Sequence, residues 1–269
     1  MVAVVTPVAI TTWHMAGWRL TRKVALDQFM VVGTPDQRDE RVVLHGCWRS
    51  TCTHRVLLAL HLRGVPFRYV PVNLDTREQE GEAFRGLSPD AQLPVLVVDG
   101  EPVSQSMAII DLIEALGAAD MAPLFPSERM ARARAFAIAE RVGSFVQPFT
   151  LPGGVRRPLI AAMAESGQRA EFGQRLADFI RETLRENLMG LDEKLAASGG
   201  LFFGGAGPTV GDIFVYPQLV GAARLGIDVN GFPRLSKFYE AMGRLDAVRA
   251  ADPTRLPDAP QQRGAAPAQ

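Results

Sequence analysis

The sequence predicts a small α/β domain followed by an all-α domain. Residues 41–116 contain short β-branched runs that alternate with helical periodicity. Residues 128–248 carry almost no strand signal, and amphipathic helical patterns recur there instead. A segment rich in small residues and proline, 117–128, separates the two halves. Such a change of periodicity across a linker is typical of two domains of different class.

The first half begins with a strand, a helix and a second strand. The run 41–46, RVVLHG, is β-branched and ends in glycine, as buried strands often do. A helical pattern follows at 53–62 and stops at Arg63-Gly64. Residues 67–74 form another extended run, in which Pro71 favours an edge or a bulge. We therefore expect a parallel, right-handed βαβ crossover.

A hairpin and a helix complete the first domain. Asp99-Gly100 is a tight-turn signal between two extended pieces, so these strands should be antiparallel. From Ser106 to Leu116, apolar residues recur at helical spacing. The resulting order, βαβ and then ββα, is that of thioredoxin-like domains. We expect this domain to span residues 42–119.

The second domain is expected at residues 128–257. It contains two long amphipathic stretches, and Thr209 with Asp212 predicts a capping box at the start of an apolar helix. Residues 258–269 indicate a disordered tail. Residues 1–41 indicate either a poorly ordered extension or a start codon assigned too far upstream, with Met15 or Met30 as the true initiator. An organelle-targeting segment is a weaker alternative.

Composition excludes several classes of function. The chain has 29 basic and 29 acidic residues, a balance that creates no field to attract nucleic acid or an anionic membrane. It has no run of about 18 apolar residues that could span a bilayer. Two cysteines and four scattered histidines form neither a disulfide framework nor a metal pattern. We therefore expect a small-molecule ligand, no metal and a cytoplasmic location.

The turn between the first strand and helix carries three candidate catalytic residues, Ser50, Thr51 and Cys52. Unpaired N–H groups at a helix start stabilise negative charge, so a thiol bound there is biased toward the thiolate. A hydroxyl that donates to the sulfur lowers its pKa further. Cys52 would itself be acidified here and could act as a nucleophile. We interpret Cys47 as a packing residue.

Three further features each allow a structural and a functional reading. Leu93-Pro94 either only marks the start of a strand or contains a cis proline that leaves the Leu93 backbone free to pair with an extended peptide ligand. Gln105-Ser106 is either a helix cap or a carboxylate site at the helix start, and the two readings are compatible. Arg224 is either a surface arginine or a holder of a substrate carboxylate.

These pieces together resemble a known family. The segments WRSTCTHRV, LPVL, QSMAIIDLI and VGDIFVYPQL are similar to zeta-class glutathione transferases, the class that includes maleylacetoacetate isomerase. The resemblance extends from about residue 42 to residue 258. It implies that a thioredoxin-like domain binds glutathione and that a helical glutathione-transferase domain contributes to the site of the second substrate.

The resemblance also implies roles for individual residues. These are Ser50, Thr51 and Cys52 in catalysis; Ser50, Gln79, Leu93, Pro94, Gln105, Ser106 and Gln147 in glutathione binding; and Arg49 and Arg224 in substrate binding. Ser50 is expected to donate to the glutathione thiolate, and Cys52 to assist rather than to form an obligatory covalent bond. Gln105 and Ser106 are expected to hold the γ-glutamyl carboxylate.

The implied activity is the glutathione-dependent isomerisation of maleylacetoacetate to fumarylacetoacetate by thiolate addition, bond rotation and elimination. Alternatives are isomerisation of maleylpyruvate and a transferase or dehalogenase reaction on small electrophiles such as α-halo acids. A binding protein without turnover is disfavoured, because Ser50, Leu93-Pro94 and Gln105-Ser106 are all intact. The resemblance further implies a homodimer.

The chain departs from its family at three places. Thr51 replaces a second serine, His54 replaces a tryptophan, and residues 150–159, TLPGGVRRPL, replace an asparagine-containing segment. The change at Thr51 is mild, whereas the arginines and the glycine pair of segment 150–159 are expected to reshape the substrate side. The resemblance therefore supports the glutathione site more strongly than it identifies the second substrate.

Overall fold

The computed structural model describes residues 41–150 and 169–260. Four strands form one mixed sheet in the order β2-β1-β3-β4. The strands are β1 (Val42–Gly46), β2 (Arg68–Pro71), β3 (Val95–Val98) and β4 (Glu101–Ser104). β1 and β2 are parallel, whereas β1–β3 and β3–β4 are antiparallel. The predicted βαβ crossover and the following hairpin are therefore confirmed.

Three helices accompany the sheet. They are α1 (Thr51–Leu62), α2 (Glu82–Arg85) and α3 (Ser106–Leu116). The eight residues 53–60 of α1 are all buried, including polar ones. A helix that is buried on every side has packed neighbours all round it. α1 contacts α3 on one side and the helical domain on the other, so its side chains lie between the two domains.

The described part of the second half of the chain is helical, as predicted. Its helices are α4 (Arg129–Arg141), α5 (Gln147–Thr150), α6 (Arg169–Ser198), α7 (Val210–Arg224), α8 (Pro233–Gly243) and α9 (Asp246–Ala250). A π-helical stretch, Val142–Val146, joins α4 to α5. Together with the mixed sheet, these helices confirm the predicted fold class. The limits 42–119 and 128–257 remain our proposal for the two domains.

Helix α7 is largely buried and begins at the predicted capping box. The Asp212 carboxylate accepts hydrogen bonds from the N–H groups of Thr209 and Phe203, at 2.8 and 2.9 Å. Burial nevertheless raises the pKa of Asp212 to about 6. One apolar core continues from the sheet through α1 into α7, with Leu58 and Val215 among its fully buried members. This shared core holds the two domains together.

The C-terminal end of α1 is tied to the linker between the domains. Arg63 is 5% exposed, and its Nε lies 3.1 Å from the Glu114 carboxylate. Its Nη1 donates to the carbonyls of Met121 and Ala122, at 2.6 and 3.0 Å. A Cβ at Gly117 would lie 2.5 Å from Arg63 Nε, so this close approach requires glycine.

No helix in the described ranges combines the length and the apolar character needed to cross a membrane. Within the same ranges, no three histidine, cysteine or acidic side chains are grouped so that they could hold a metal ion. The predicted extension 1–41 lies outside the described residues except for Arg41. Residues 151–159 of the divergent segment, and 261–269 of the predicted tail, also lie outside them.

Candidate active site

Strand ends bring several predicted residues to one edge of the sheet. His45, near the end of β1, pairs with Val95 at the start of β3. Val95 in turn pairs with Ser104 at the end of β4. The turn after β1, the segment before β3 and the start of α3 therefore meet at this edge. They carry Ser50, Leu93-Pro94 and Gln105-Ser106 respectively.

Ser50 is held as the N-cap of α1. Its backbone is extended, and its Oγ accepts a hydrogen bond from the Thr53 N–H at 3.1 Å. This bond fixes the oxygen and leaves the hydroxyl hydrogen to be donated elsewhere. The turn is closed by a bond from the Ser50 N–H to the Cys47 carbonyl at 2.9 Å. Ser50 can therefore donate to an anion at the N-terminus of α1.

A polar cluster joins the turn to the helical domain. Gln147 Nε2 lies 2.9 Å from Cys52 Sγ and 3.4 Å from Thr51 Oγ1. Gln218 Nε2, on α7, lies 3.1 Å from Gln147 Oε1 and 3.4 Å from Thr51 Oγ1. Thr51 and Cys52 are half-buried, whereas both glutamines are buried. The helical domain therefore reaches the predicted catalytic turn, Ser50 to Cys52, through two glutamine side chains.

The residues predicted to hold glutathione present unused polar groups. The Leu93-Pro94 peptide bond is cis. Within the described part of the chain, the Leu93 N–H and carbonyl make no hydrogen bond. Gln79 is 7% exposed, and its Oε1 has no partner among the described residues. A buried acceptor and a free backbone pair are what an extended peptide ligand requires.

The start of α3 has a second feature that suits a ligand. Gln105 has a φ of +72°, which is a costly conformation for a residue with a Cβ. Such strained residues cluster at ligand clamps. Ser106 follows as the first residue of α3 and is 8% exposed. The free N–H groups of this first turn can bind a carboxylate.

The two predicted substrate arginines lie beside the catalytic turn. Arg224, the last residue of α7, places Nη1 3.4 Å from the Arg49 carbonyl. Its guanidinium carbon lies 5.0 Å from the centroid of the Trp48 ring. Arg49 itself pairs with Asp75 at 2.6 Å. Both partners of that pair are exposed, and exposed pairs are weak enough to exchange for another carboxylate.

The C-terminal segment also reaches the turn. The Trp48 N–H donates to the Asp258 carboxylate at 2.8 Å, and the Tyr69 hydroxyl lies 3.3 Å from the same carboxylate. Burial and the negative Asp258 raise the pKa of Tyr69, so its hydroxyl stays protonated. Asp258, assigned from the sequence to the tail, therefore anchors the loop that precedes Ser50.

His45, His54 and Cys47, which lie near the turn, are uncharged at neutral pH. Burial lowers the pKa of His54 to about 3 and that of His45 to about 4, so both are neutral. Burial raises the pKa of Cys47, which favours the thiol and fits the packing role. The positive charge near the turn therefore comes from arginines.

Sequence reasoning missed three residues of this region: Arg55, Gln218 and Asp258. The first two carried a signal, because each is a polar side chain inside an otherwise apolar helical run. Asp258 carried none, since its partner Trp48 is 210 positions away in the sequence. Among the described residues, no hydrogen bond joins Gln79 or Leu93 to Ser50.

Family models match both halves of the chain. The model of the glutathione S-transferase N-terminal domain matches residues 49–116. The model of the glutathione S-transferase C-terminal domain matches residues 130–241. Together the two matches cover more than half of the sequence.

Individual proteins are similar over nearly their whole length. A probable maleylacetoacetate isomerase of Caenorhabditis elegans is 30% identical over 82% of this chain and 97% of its own. A solved zeta-class bacterial maleylpyruvate isomerase is 30% identical, covers 81% of this chain and 100% of its own, and has a TM-score of 0.71. The maleylacetoacetate isomerase of Methylobacterium extorquens AM1, solved with malonate and glutathione, is 31% identical over 81% and 99%, with a TM-score of 0.71.

Proposed function

The chain belongs to the glutathione S-transferase family, and from that premise we propose that it converts maleylacetoacetate to fumarylacetoacetate. It is a glutathione-dependent isomerase of the zeta class. The observation that carries the choice of substrate is the meeting of the catalytic turn with two arginines. Arg224 Nη1 lies 3.4 Å from the carbonyl of Arg49, whose neighbour in the chain is Ser50. The start of α1, which can stabilise an anion, therefore lies next to Arg49 and Arg224, which can bind a carboxylate.

Glutathione is the cofactor, and the residues present fit it. We assign its cysteinyl part to the free backbone groups of Leu93 and its γ-glutamyl carboxylate to Gln105 and Ser106. The unpartnered Oε1 of Gln79 supports a contact on the glycyl side. When bound, glutathione supplies the thiolate that adds to the conjugated cis double bond, permits rotation and is eliminated.

Ser50 and the first turn of α1 stabilise the anionic sulfur. The Ser50 hydroxyl is held by the Thr53 N–H and donates its hydrogen to the thiolate. The free N–H groups of the helix start add a favourable partial positive charge. A lower thiol pKa increases the reactive fraction near pH 7. This turn therefore activates the nucleophile by favouring its thiolate form, the thiol proton passing to solvent.

Thr51 and Cys52 shape the other side of the turn. The Cys52 sulfur accepts a hydrogen bond from Gln147 Nε2, which also lies near the Thr51 hydroxyl. We assign Cys52 an assisting role, because these contacts fix its side chain against the helical domain. Gln147 then links glutathione binding to the position of that domain.

Arg224 and Arg49 orient the substrate through its carboxylates. Guanidinium groups bind carboxylates through paired, directional hydrogen bonds. Arg224 is ordered by the Trp48 ring, and Arg49 exchanges Asp75 for the substrate. A substrate held at both ends keeps its double bond in place during addition. Maleylpyruvate, also a dicarboxylate, is the second candidate.

A substrate panel with and without glutathione tests this function. Maleylacetoacetate should be isomerised fastest, maleylpyruvate more slowly, and dichloroacetate and a chloronitrobenzene least. Turnover of maleylacetoacetate without glutathione would overturn the proposal. Fastest turnover of dichloroacetate or of the aromatic halide would assign the chain to dehalogenation or conjugation instead. No turnover of any compound, with glutathione still bound, would leave a binding protein.

We further propose a cytoplasmic location and a homodimer. Cys47 and Cys52 are both free thiols, as a reducing compartment requires. Homodimeric assembly rests on the family resemblance alone. Sedimentation of the purified protein measures it, and a monomer at micromolar concentration would contradict it.

A further inference from the structure

Arg55 is a buried cation on a helix that both domains contact. It lies on α1, one turn after Cys52, and is 2% exposed. Both domains surround it, because α1 is packed between α3 and α7. A fully buried arginine is uncommon, since burying a charge without a partner costs folding free energy.

The contacts of Arg55 reach three parts of the proposed glutathione site. Its Nη1 lies 3.4 Å from Ser106 Oγ and 3.7 Å from Cys52 Sγ. Its Nη2 donates to the side-chain oxygen of Gln147. The guanidinium carbon lies 4.1 Å from the centroid of the Phe214 ring. One side chain therefore joins the start of α3, the catalytic turn and the helical domain.

None of these contacts is with a carboxylate. Among the described residues, no acidic side chain lies within 4 Å of Arg55, and its Nε has no hydrogen-bond partner. Burial lowers the pKa of Arg55, and arginine nevertheless keeps its proton in proteins. Within the described chain, Cys52 is the titratable group whose charge acts on that of Arg55. Ser106, Gln147 and Phe214, which face it from other elements, are uncharged.

We propose that Arg55 is a positioning residue whose missing counter-charge is bound glutathione. The proposal rests on the proposed function. Glutathione brings a carboxylate to the start of α3 and a thiolate to the start of α1, and Arg55 lies between these two helix starts. In a buried site with few competing charges, its positive charge stabilises both anions. Its two NH groups also fix Ser106 and Gln147 for ligand binding.

Arg55→Met tests this inference, with Arg55→Lys and Arg63→Met as matched variants. Methionine fills a similar space without charge, so the melting temperature should stay the same or rise. The dissociation constant of glutathione, measured by calorimetry, should rise about tenfold. The pKa of the bound thiol, followed by thiolate absorbance, should rise by about one unit. Arg55→Lys, which keeps the charge, should recover part of both losses.

The control variant, Arg63→Met, should show the opposite pattern in melting temperature and glutathione affinity. Arg63 is equally buried but paired with Glu114, so Arg63→Met should lower the melting temperature and leave glutathione affinity unchanged. Wild-type affinity and thiol pKa in Arg55→Met would overturn the inference. An Arg55→Met protein that unfolds would also overturn it, because the charge would then serve folding. Failure of the wild-type protein to bind glutathione would instead overturn the proposed function.

Discussion

Helix α1 has a buried arginine in its second turn, Arg55, and another at its C-cap, Arg63, and the two differ in what balances their charge. Arg63 faces the Glu114 carboxylate and two backbone carbonyls at the linker. Arg55, nearer the N-terminal end, faces a hydroxyl, a thiol, an amide oxygen and an aromatic ring, without a carboxylate among the described residues. Burial alone is similar at the two positions.

The difference separates a structural charge from a functional one. A buried ion pair satisfies itself, and removing one partner leaves an uncompensated charge. A buried cation without a counter-ion gains its partner only when an anion binds. Under the proposal above, the end of α1 that carries Ser50 is the ligand end. Arg63 ties the other end to the linker between the domains.

The largest effect is expected at the ligand end. Ser50→Ala removes the hydroxyl that donates to the thiolate, so kcat/KM for maleylacetoacetate should fall about 100-fold or more. The protein should still bind a glutathione column, because the other contacts remain. Steady-state kinetics measure the loss, and Ser50→Thr, which keeps a hydroxyl, is the control. A wild-type rate in Ser50→Ala would refute the thiolate role.

The structural end should respond in stability rather than in rate. Glu114→Gln leaves Arg63 buried without its counter-ion, and the free energy of unfolding should fall by about 2 kcal/mol. Urea denaturation measures this change. Glutathione affinity should match that of wild type, since Glu114 has no contact with the catalytic turn. A large loss of affinity with unchanged stability would reverse the assignment of the two ends.

Arg224→Ala separates substrate binding from glutathione binding. KM for a dicarboxylate should rise about tenfold, because a charged hydrogen bond to the substrate is lost. KM for a neutral electrophile such as a chloronitrobenzene should change little. Parallel kinetics with both substrates give the comparison. An equal increase for both would indicate that Arg224 orders the turn through Trp48 instead of binding a carboxylate.

Substitution of His54, next to Arg55, should give the smallest effect, a change in how the free energy of unfolding depends on pH. Burial lowers its pKa from 6.5 to about 3, so between these values the unfolded chain binds a proton that the folded chain does not. The free energy of unfolding therefore falls as pH is lowered through this window. His54→Phe removes the contribution, so its stability should fall less than that of wild type on acidification.

Urea denaturation of both proteins at several pH values measures this difference. His45 destabilises in the same direction, with a pKa of about 4, whereas Asp212, raised to about 6, acts in the opposite direction. Both contributions cancel when the variant curve is subtracted from the wild-type curve. Parallel curves for the two proteins would show that His54 is not buried as a neutral group.

Local patterns predicted most of the fold and the place of the site. β-branched runs, the Asp99-Gly100 turn and the capping box at Thr209 each depend on neighbouring residues, so the sequence displays them directly. The catalytic turn was predictable for the same reason, because Ser50 caps the helix that follows it. These features depend on short-range geometry and not on tertiary packing.

The remaining parts depend on contacts between distant segments. The surroundings of Arg55 require α7 to place Phe214 over it, 159 positions away by residue number. Asp258 reaches Trp48 from the far end of the chain. The pairing of Arg49 with Asp75 likewise depends on how the loop after β2 folds back. A single sequence shows these residues but not which of them meet.

The ionisation of glutathione bound to the wild-type protein tests the central claim most directly. Ultraviolet absorbance of the thiolate, recorded during a pH titration of the complex, gives the pKa of the bound thiol. Ser50, the start of α1 and Arg55 together predict a value at least one unit below the ordinary cysteine value of about 8.5. A bound thiol that titrates like free glutathione would contradict the account.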